Sequence, residues 1–261
     1  MQAIRLGTLA LLLVAAACSS GSTTTDGGTD TGGGNTVTQT GQIIDYTTKT
    51  GVADITVSSG ATQATSDSKG NYSLTVTKGQ AYTMHVSGTG YLTLDEQEWM
   101  LTGDANRGQM SAVSNTTESL LKSILQPQPQ TTLAVLSILV ESVSPDAGAC
   151  TSATGATISV PGLSADGGTG AHLVYMKGGF PSASSTSVTD GELPSAIIYD
   201  LPVMDSFSQV TVTPPTGCTV KAFPTTDPTE PNITYTGNVK LEASSPAAGE
   251  NVASFMRVFL Q

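Results

Sequence analysis

GQIIDYTTKTGVADITVSSGATQATSDSKGNYSLTVTKGQAYTMHVS, residues 41–87, is the stretch that decides the fold. Four short runs inside it, GQIID, ITVSS, GNYSLTV and AYTMHVS, alternate apolar with polar residues, and each is bounded by Gly, Asp, Asn or Lys-Gly turn signals. Alternation over a few residues puts every second side chain on one face, which is the pattern of a strand with one side in a core. SDSKGN (66–71) reads as a tight hairpin turn, with Gly70 free to take a positive φ. Several such strands in succession predict an all-β sandwich.

Beyond this stretch the strand rhythm breaks over residues 95–130. Asn115-Thr116-Thr117-Glu118 has N-cap spacing, with a carboxylate three residues on. Leu120, Leu121, Ile124 and Leu125 then fall on one helical face, and Pro127 and Pro129 stop the run. This predicts a short connecting helix. From 131 the β rhythm returns in TLAVLSILVESV, GATISV, HLVYMK, SAIIYD, QVTVT, NVKLEA and SFMRVFL. TDGELPSAIIYDLPVMDSFSQVTVT repeats the order of TSDSKGNYSLTVTKGQAYTMHVS: turn acid, glycine, apolar strand, break, aromatic, alternating strand. A second, divergent copy of the sandwich is therefore expected, with FPTTDPTEPN as an inserted loop.

The elements GQIID (41–45), TGVADITV (50–57), ATSDSKGNYSLTV (64–76) and KGQAYTMHVSGTGY (78–91) resemble the carboxypeptidase regulatory-like domain, a transthyretin-type sandwich. The shared pattern is an early G-x-apolar-x-D strand, a TG turn, an apolar strand, a D-x-x-G-x-Y stretch and a closing G-Y. That resemblance implies two transthyretin-like β-sandwich domains, at 41–104 and 131–261, joined by a connector at 105–130. It also implies a non-catalytic accessory module rather than an enzyme.

The head of the chain, MQAIRLGTLALLLVAAAC, has one charge at Arg5, an apolar run from Leu6 to Val14, and three alanines before Cys18. This is the layout of a secretory signal, and the run is shorter than the roughly 20 residues of a spanning helix. A cysteine straight after the small residues resembles the lipobox of bacterial lipoproteins. The resemblance implies a signal peptide at 1–17, lipidation of Cys18 and a membrane anchor. Ser19, by analogy with lipoprotein sorting, points to the outer membrane. Residues 18–40 contain almost no apolar side chain, so they are expected to form a disordered tether with a mean span of roughly 25 Å.

The formal net charge is -11, and removal of Arg5 makes it -12. A sequence pI near 4.3 argues against nucleic-acid partners, which need a basic face. Once Cys18 is acylated, Cys150 and Cys218 remain, and a leftover pair in an oxidising compartment is expected to form a disulfide. S-x-x-K occurs at Ser66–Lys69 and Ser119–Lys122, and K-T-G at Lys49–Gly51, but the order is wrong for a serine acyl-enzyme. No catalytic set, cofactor or metal site is expected. One cluster invites a ligand: Tyr91, Asp95, Glu96, Glu98 and Trp99, where a ring could stack on a sugar while carboxylates take its hydroxyls. Against that reading, Trp99 caps the first core or fills the contact between modules. The expected function is that of an interaction or scaffold protein with a protein or glycan partner, the alternative being a carbohydrate-binding accessory.

Overall fold

At Asn71–Thr77 the alternation is complete: Tyr72, Leu74 and Val76 are buried, and the four residues between and beside them are exposed. The computed structural model describes residues 35–143, 150–163, 170–244 and 251–261. The signal-like head, Cys18 and residues 18–34 of the expected tether lie outside the described residues. Residues 36–40 of that tether are not loose chain: they open the first strand, because Val37 and Gln39 turn inward and are buried.

In the first half the strands are β1 (Thr36–Asp45), β2 (Thr56–Ser59), β3 (Thr62–Thr65), β4 (Asn71–Thr77), β5 (Ala81–Tyr82), β6 (His85–Ser87), β7 (Thr93–Glu96), β8 (Trp99–Leu101) and β9 (Ala105–Ala112). Helix α1 (Asn115–Ile124) follows. The second half contains β10 (Ala134–Ser142), β11 (Thr157–Ser159), β12 (His172–Lys177), β13 (Phe180–Ser182), β14 (Ala196–Leu201), β15 (Met204–Phe207), β16 (Thr211–Thr213), β17 (Thr225–Thr226), β18 (Ile233–Tyr235), β19 (Val239–Leu241) and β20 (Val252–Leu260). The fold is all-β and sandwich-like. Residues 95–112, expected to lack strand rhythm, supply the end of β7, β8 and β9, and β9 breaks its alternation at Gly108 and Gln109, both exposed.

SDSKGN does form a tight turn: Gly70 N–H donates to Asp67 O (2.8 Å), and the Asp67 carboxylate accepts from Lys69 N and Asn71 N. It is not a hairpin, however. β3 pairs with β2, whereas β4 pairs with β1, so the turn carries the chain from one sheet to the other. The TG turn locks against it. A Cβ on Gly51 would lie 2.0 Å from Lys69 O, and one on Gly70 (φ +81°) would lie 2.1 Å from Ile43 O. Both glycines are required because two backbones meet there.

Among the described residues, one sheet runs β13-β12-β14-β10-β20-β7-β6-β2-β3, and a separate one runs β4-β1-β9. In the latter, β1 is flanked by β4 antiparallel and β9 parallel. The second half repeats this: β10 is flanked by β14 antiparallel and β20 parallel. β4 and β14 are the strands that the sequence repeat aligned.

Two cores result. One gathers Leu136, Ile138, Val140, Ile198, Met256 and Val258, and the other Ile43, Leu74, Met84, Trp99 and Leu101. They do not divide the chain at one point. Ile233, Tyr235 and Phe259 return from the far end to fill the first core. FPTTDPTEPN is accordingly no free loop: it leads through β17 into β18, which pairs with β8.

Candidate ligand cavity

Ser114 caps α1. Its backbone is extended (φ -66°, ψ 151°) and its Oγ accepts from Thr117 N–H at 3.2 Å. The cap thus falls one residue before Asn115, the residue that the sequence spacing had suggested. The leucine stripe also divides. Leu121 and Leu125, one turn apart, face the large sheet and Leu125 is buried, whereas Leu120 and Ile124 are 52% and 41% exposed.

Beneath α1 lies a cavity of about 520 Å³, inside the range typical of small-molecule sites. Its floor is the sheet face opposite the second core. Strand alternation that sends Leu136, Ile138 and Val140 into that core sends Val135, Ser137, Leu139 and Glu141 to the cavity. β20 adds Ala253, Phe255 and Arg257, β7 adds Leu94 and Glu96, and β14 adds Ile197. β9 supplies Arg107 and Met110 as a wall, and Asp190–Pro194 closes another side. Small side chains at Ser137 and Ala253 leave the space open.

The charged groups lining it are all engaged. Arg107 grips Glu96 with Nε–Oε2 at 3.1 Å and Nη2 at 3.0 and 2.9 Å, both side chains being almost wholly buried. Burial is the largest single influence and lowers the Arg107 pKa, but the Glu96 charge, its hydrogen bonds and the neighbouring Tyr235 and Tyr72 together outweigh it and hold the pKa above its ordinary value. Lys122 pairs with Glu118 at 2.5 Å, and Glu118 also accepts from Asn251. Arg257 reaches Glu141 at 3.4 Å and Asp227 at 3.3 Å. Asp190 accepts from Ala153 N and from Ser152 Oγ, and Glu192 from the N–H groups of Gly178 and Gly179.

Asp227 is a hub beside this wall. Burial pushes its pKa up, yet hydrogen bonds from Thr229, the Arg257 charge and the Tyr235 hydroxyl together hold it below the usual carboxylate range. Neither Arg107, Arg257 nor Asp227 was singled out by sequence reasoning, since each sits in a run without a recognisable motif.

The five residues considered for a glycan are dispersed. Trp99 is fully buried, stacked between Tyr82 (5.6 Å) and Tyr235 (5.8 Å), with the Arg107 guanidinium 5.5 Å from its ring. No face of the ring is open for a sugar. Asp95 and Glu96 point to opposite faces of β7: Asp95 takes His85 Nδ1 at 2.7 Å, and Glu96 takes Arg107. Glu98 accepts from Thr236 Oγ1 (2.8 Å) and Asn238 Nδ2 (3.3 Å), while Tyr91 is half-buried in a bridge to Ser114.

Cys150 and Cys218 form a disulfide across the second core, with Cα atoms 4.6 Å apart. Cys18 lies outside the described residues. Among those residues no group of three or more His, Cys, Asp or Glu could hold a metal ion, and no helix is long and apolar enough to cross a membrane.

No family model matches the chain, and no curated protein matches it. Of the solved structures, GBS52, the minor pilin of the Gram-positive pathogen Streptococcus agalactiae, aligns over 85% of this chain and 95% of its own. Identity is 10% and the TM-score 0.23, a likeness too remote to assign either fold or function.

Proposed function

We propose that this chain is a non-catalytic interaction or scaffold protein of the cell envelope, exported by residues 1–17 and held at the outer membrane by a lipid on Cys18. The observation that carries the export reading is the Cys150–Cys218 disulfide, a bond that persists in oxidising compartments and is rare in the cytosol. The non-catalytic reading is supported by how the charged groups of the cavity are used. Each carboxylate and each cation there is paired with another group of the protein, as suits a site that holds a molecule rather than transfers a proton. The two sandwiches then serve as a body carried on a short polar tether. The carbohydrate-binding alternative is not adopted, because its stacking ring, Trp99, is enclosed by Tyr82, Tyr235 and Arg107.

Metabolic labelling with a palmitate analogue tests the anchor. The wild-type protein is expected to incorporate the label and to partition into detergent, and Cys18→Ala to lose both. A wild-type protein that is unlabelled and released as a soluble species would overturn the proposal.

A further inference from the structure

Ser111 lines the cavity from β9, and its Oγ is buried without a hydrogen-bond partner among the described residues. Its main chain is unpartnered as well. Tyr46 N–H donates to Ala112 O at 2.8 Å, which fixes the parity of the parallel β1–β9 ladder. Met110 and Ala112 turn their N–H and C=O groups toward β1, so Gln109 and Ser111 turn theirs away from it. No strand lies beyond β9 among the described residues, and β9 is the edge of its sheet. The next outward carbonyl, that of Val113, already accepts from Leu92 N–H at 2.8 Å. The open part of the edge is therefore Gln109–Ser111, and both of these residues line the cavity. An unpaired edge is a template for another strand.

We infer that the cavity under α1 receives an extended segment of a partner protein, which adds to β9 as a strand and carries a lysine or arginine among apolar residues. Three residues of an added strand span about 10 Å, enough to engage the N–H and C=O groups of both Gln109 and Ser111. Alternate side chains of the segment then meet different surroundings. One set packs on the apolar part of the floor, at Val135, Leu139 and Ile197. Charge selects the other set. Of the five carboxylates lining the cavity, Glu96, Glu118 and Glu141 are matched by Arg107, Lys122 and Arg257. Asp190 and Glu192 are not: they accept from main-chain N–H groups and the Ser152 hydroxyl, and neither faces a cation. The field of Glu192 reaches the cavity wall, where burial and that charge push the Tyr46 pKa up. This chain's own residues 19–34 hold Asp26 and Asp30 and no base, so another protein supplies the segment. The inference rests on the reading of the chain as an interaction protein and not on its anchor.

The test uses the full chain carrying Cys18→Ala, so that failure here leaves the lipid question untouched. The probe is a fluorescein-labelled hexapeptide of alternating valine and lysine, read by fluorescence anisotropy. The same peptide with glutamate for lysine is expected to bind about tenfold more weakly or less. N-methylation of alternate amides, which keeps every charge and removes main-chain donors, is expected to weaken binding by about tenfold. Glu192→Gln and Asp190→Asn should each weaken the lysine peptide by up to about fivefold and leave a valine–serine peptide unchanged. Ser111→Pro removes an N–H that β1 does not use, and is expected to weaken the lysine peptide by about tenfold. Should that variant not fold, hydrogen exchange of the parent chain gives the same reading: the Gln109 and Ser111 amides slow when the peptide binds. Absence of binding by the lysine peptide, equal binding of the glutamate peptide, or undiminished binding of the N-methylated peptide would overturn the inference. So would unchanged affinity in a folded Ser111→Pro variant.

Discussion

Breaking the Arg107–Glu96 pair by removing one partner is expected to cost far more than removing both. The two side chains are 3% and 2% exposed and share three contacts of 2.9–3.1 Å, so the pair is desolvated and bidentate. Arg107→Met leaves the Glu96 carboxylate buried without its partner, a situation that costs about 3–5 kcal/mol. Loss of the guanidinium above Trp99 adds roughly 0.5–2 kcal/mol. Glu96→Leu strands the guanidinium in the same way. In Glu96→Leu/Arg107→Met neither charge has to be desolvated, and stability is expected to return to within about 1–2 kcal/mol of wild type. The interaction energy of the cycle should then exceed about 3 kcal/mol. Arg107→Lys, which keeps the charge and loses the fork, should fall between. Urea unfolding reads all of these through Trp99, the sole tryptophan, with circular dichroism as an independent probe because the substitutions touch its surroundings. Single variants within about 1 kcal/mol of wild type, or a double variant equal to the sum of the singles, would refute the reasoning.

Two further outcomes follow from the structure. Cys150 and Cys218 are separated by 68 positions, so in the chain-entropy model reducing the disulfide, or replacing both cysteines by alanine, should destabilise the fold by about 4 kcal/mol; a urea-derived loss under about 1 kcal/mol would contradict this. Asp227 is held below the ordinary carboxylate range, so its contribution is present at neutral pH and is lost as pH falls through its folded-state pKa. Urea midpoints measured from about pH 5 down to pH 2 should therefore fall less steeply in Asp227→Asn than in wild type. Asp45 and Asp67, held low mainly by hydrogen bonds from Thr48 and Asn71 respectively, keep part of the slope, and an unchanged slope in the variant would exclude Asp227 as a source.

What was legible in the sequence was local. Alternation marked β4, because a strand with one face in a core writes its period into neighbouring residues, whereas β10 was legible through its β-branched content and β14, buried at every residue, as an apolar run. TG and D-x-x-G were legible because Gly51 and Gly70 sit where two turns touch and no side chain fits. Partner choice was not legible. Nothing between Thr62 and Thr77 says that β3 and β4 enter different sheets, since a turn of the same geometry serves a hairpin or a crossover. The leucines of α1 showed a stripe but not its orientation, so Leu120 and Ile124 were grouped with the inward Leu121 and Leu125. The split is decided by where the sheet lies beneath the helix. Trp99 shows the same limit: its flanking carboxylates suggested a wet platform, yet Glu96 is held inward by Arg107, eleven positions away.

The cavity was beyond sequence reasoning for a topological reason. β20 has two neighbours, β10 from its own half and β7 from the other. It thereby joins strands of the two halves into one sheet, and Phe259, on the same face as Phe255 and Arg257, ends in the first core. A strand shared in this way sets a broad sheet face under a helix of ten residues, too short to cover it. The uncovered area becomes a cavity whose floor comes from four strands far apart in the chain. None of its residues needs a motif, because each serves only its own strand, and their convergence exists only once both halves of the chain have closed around β20. A last strand shared between the two halves of the chain therefore creates a site at the seam that neither half encodes alone.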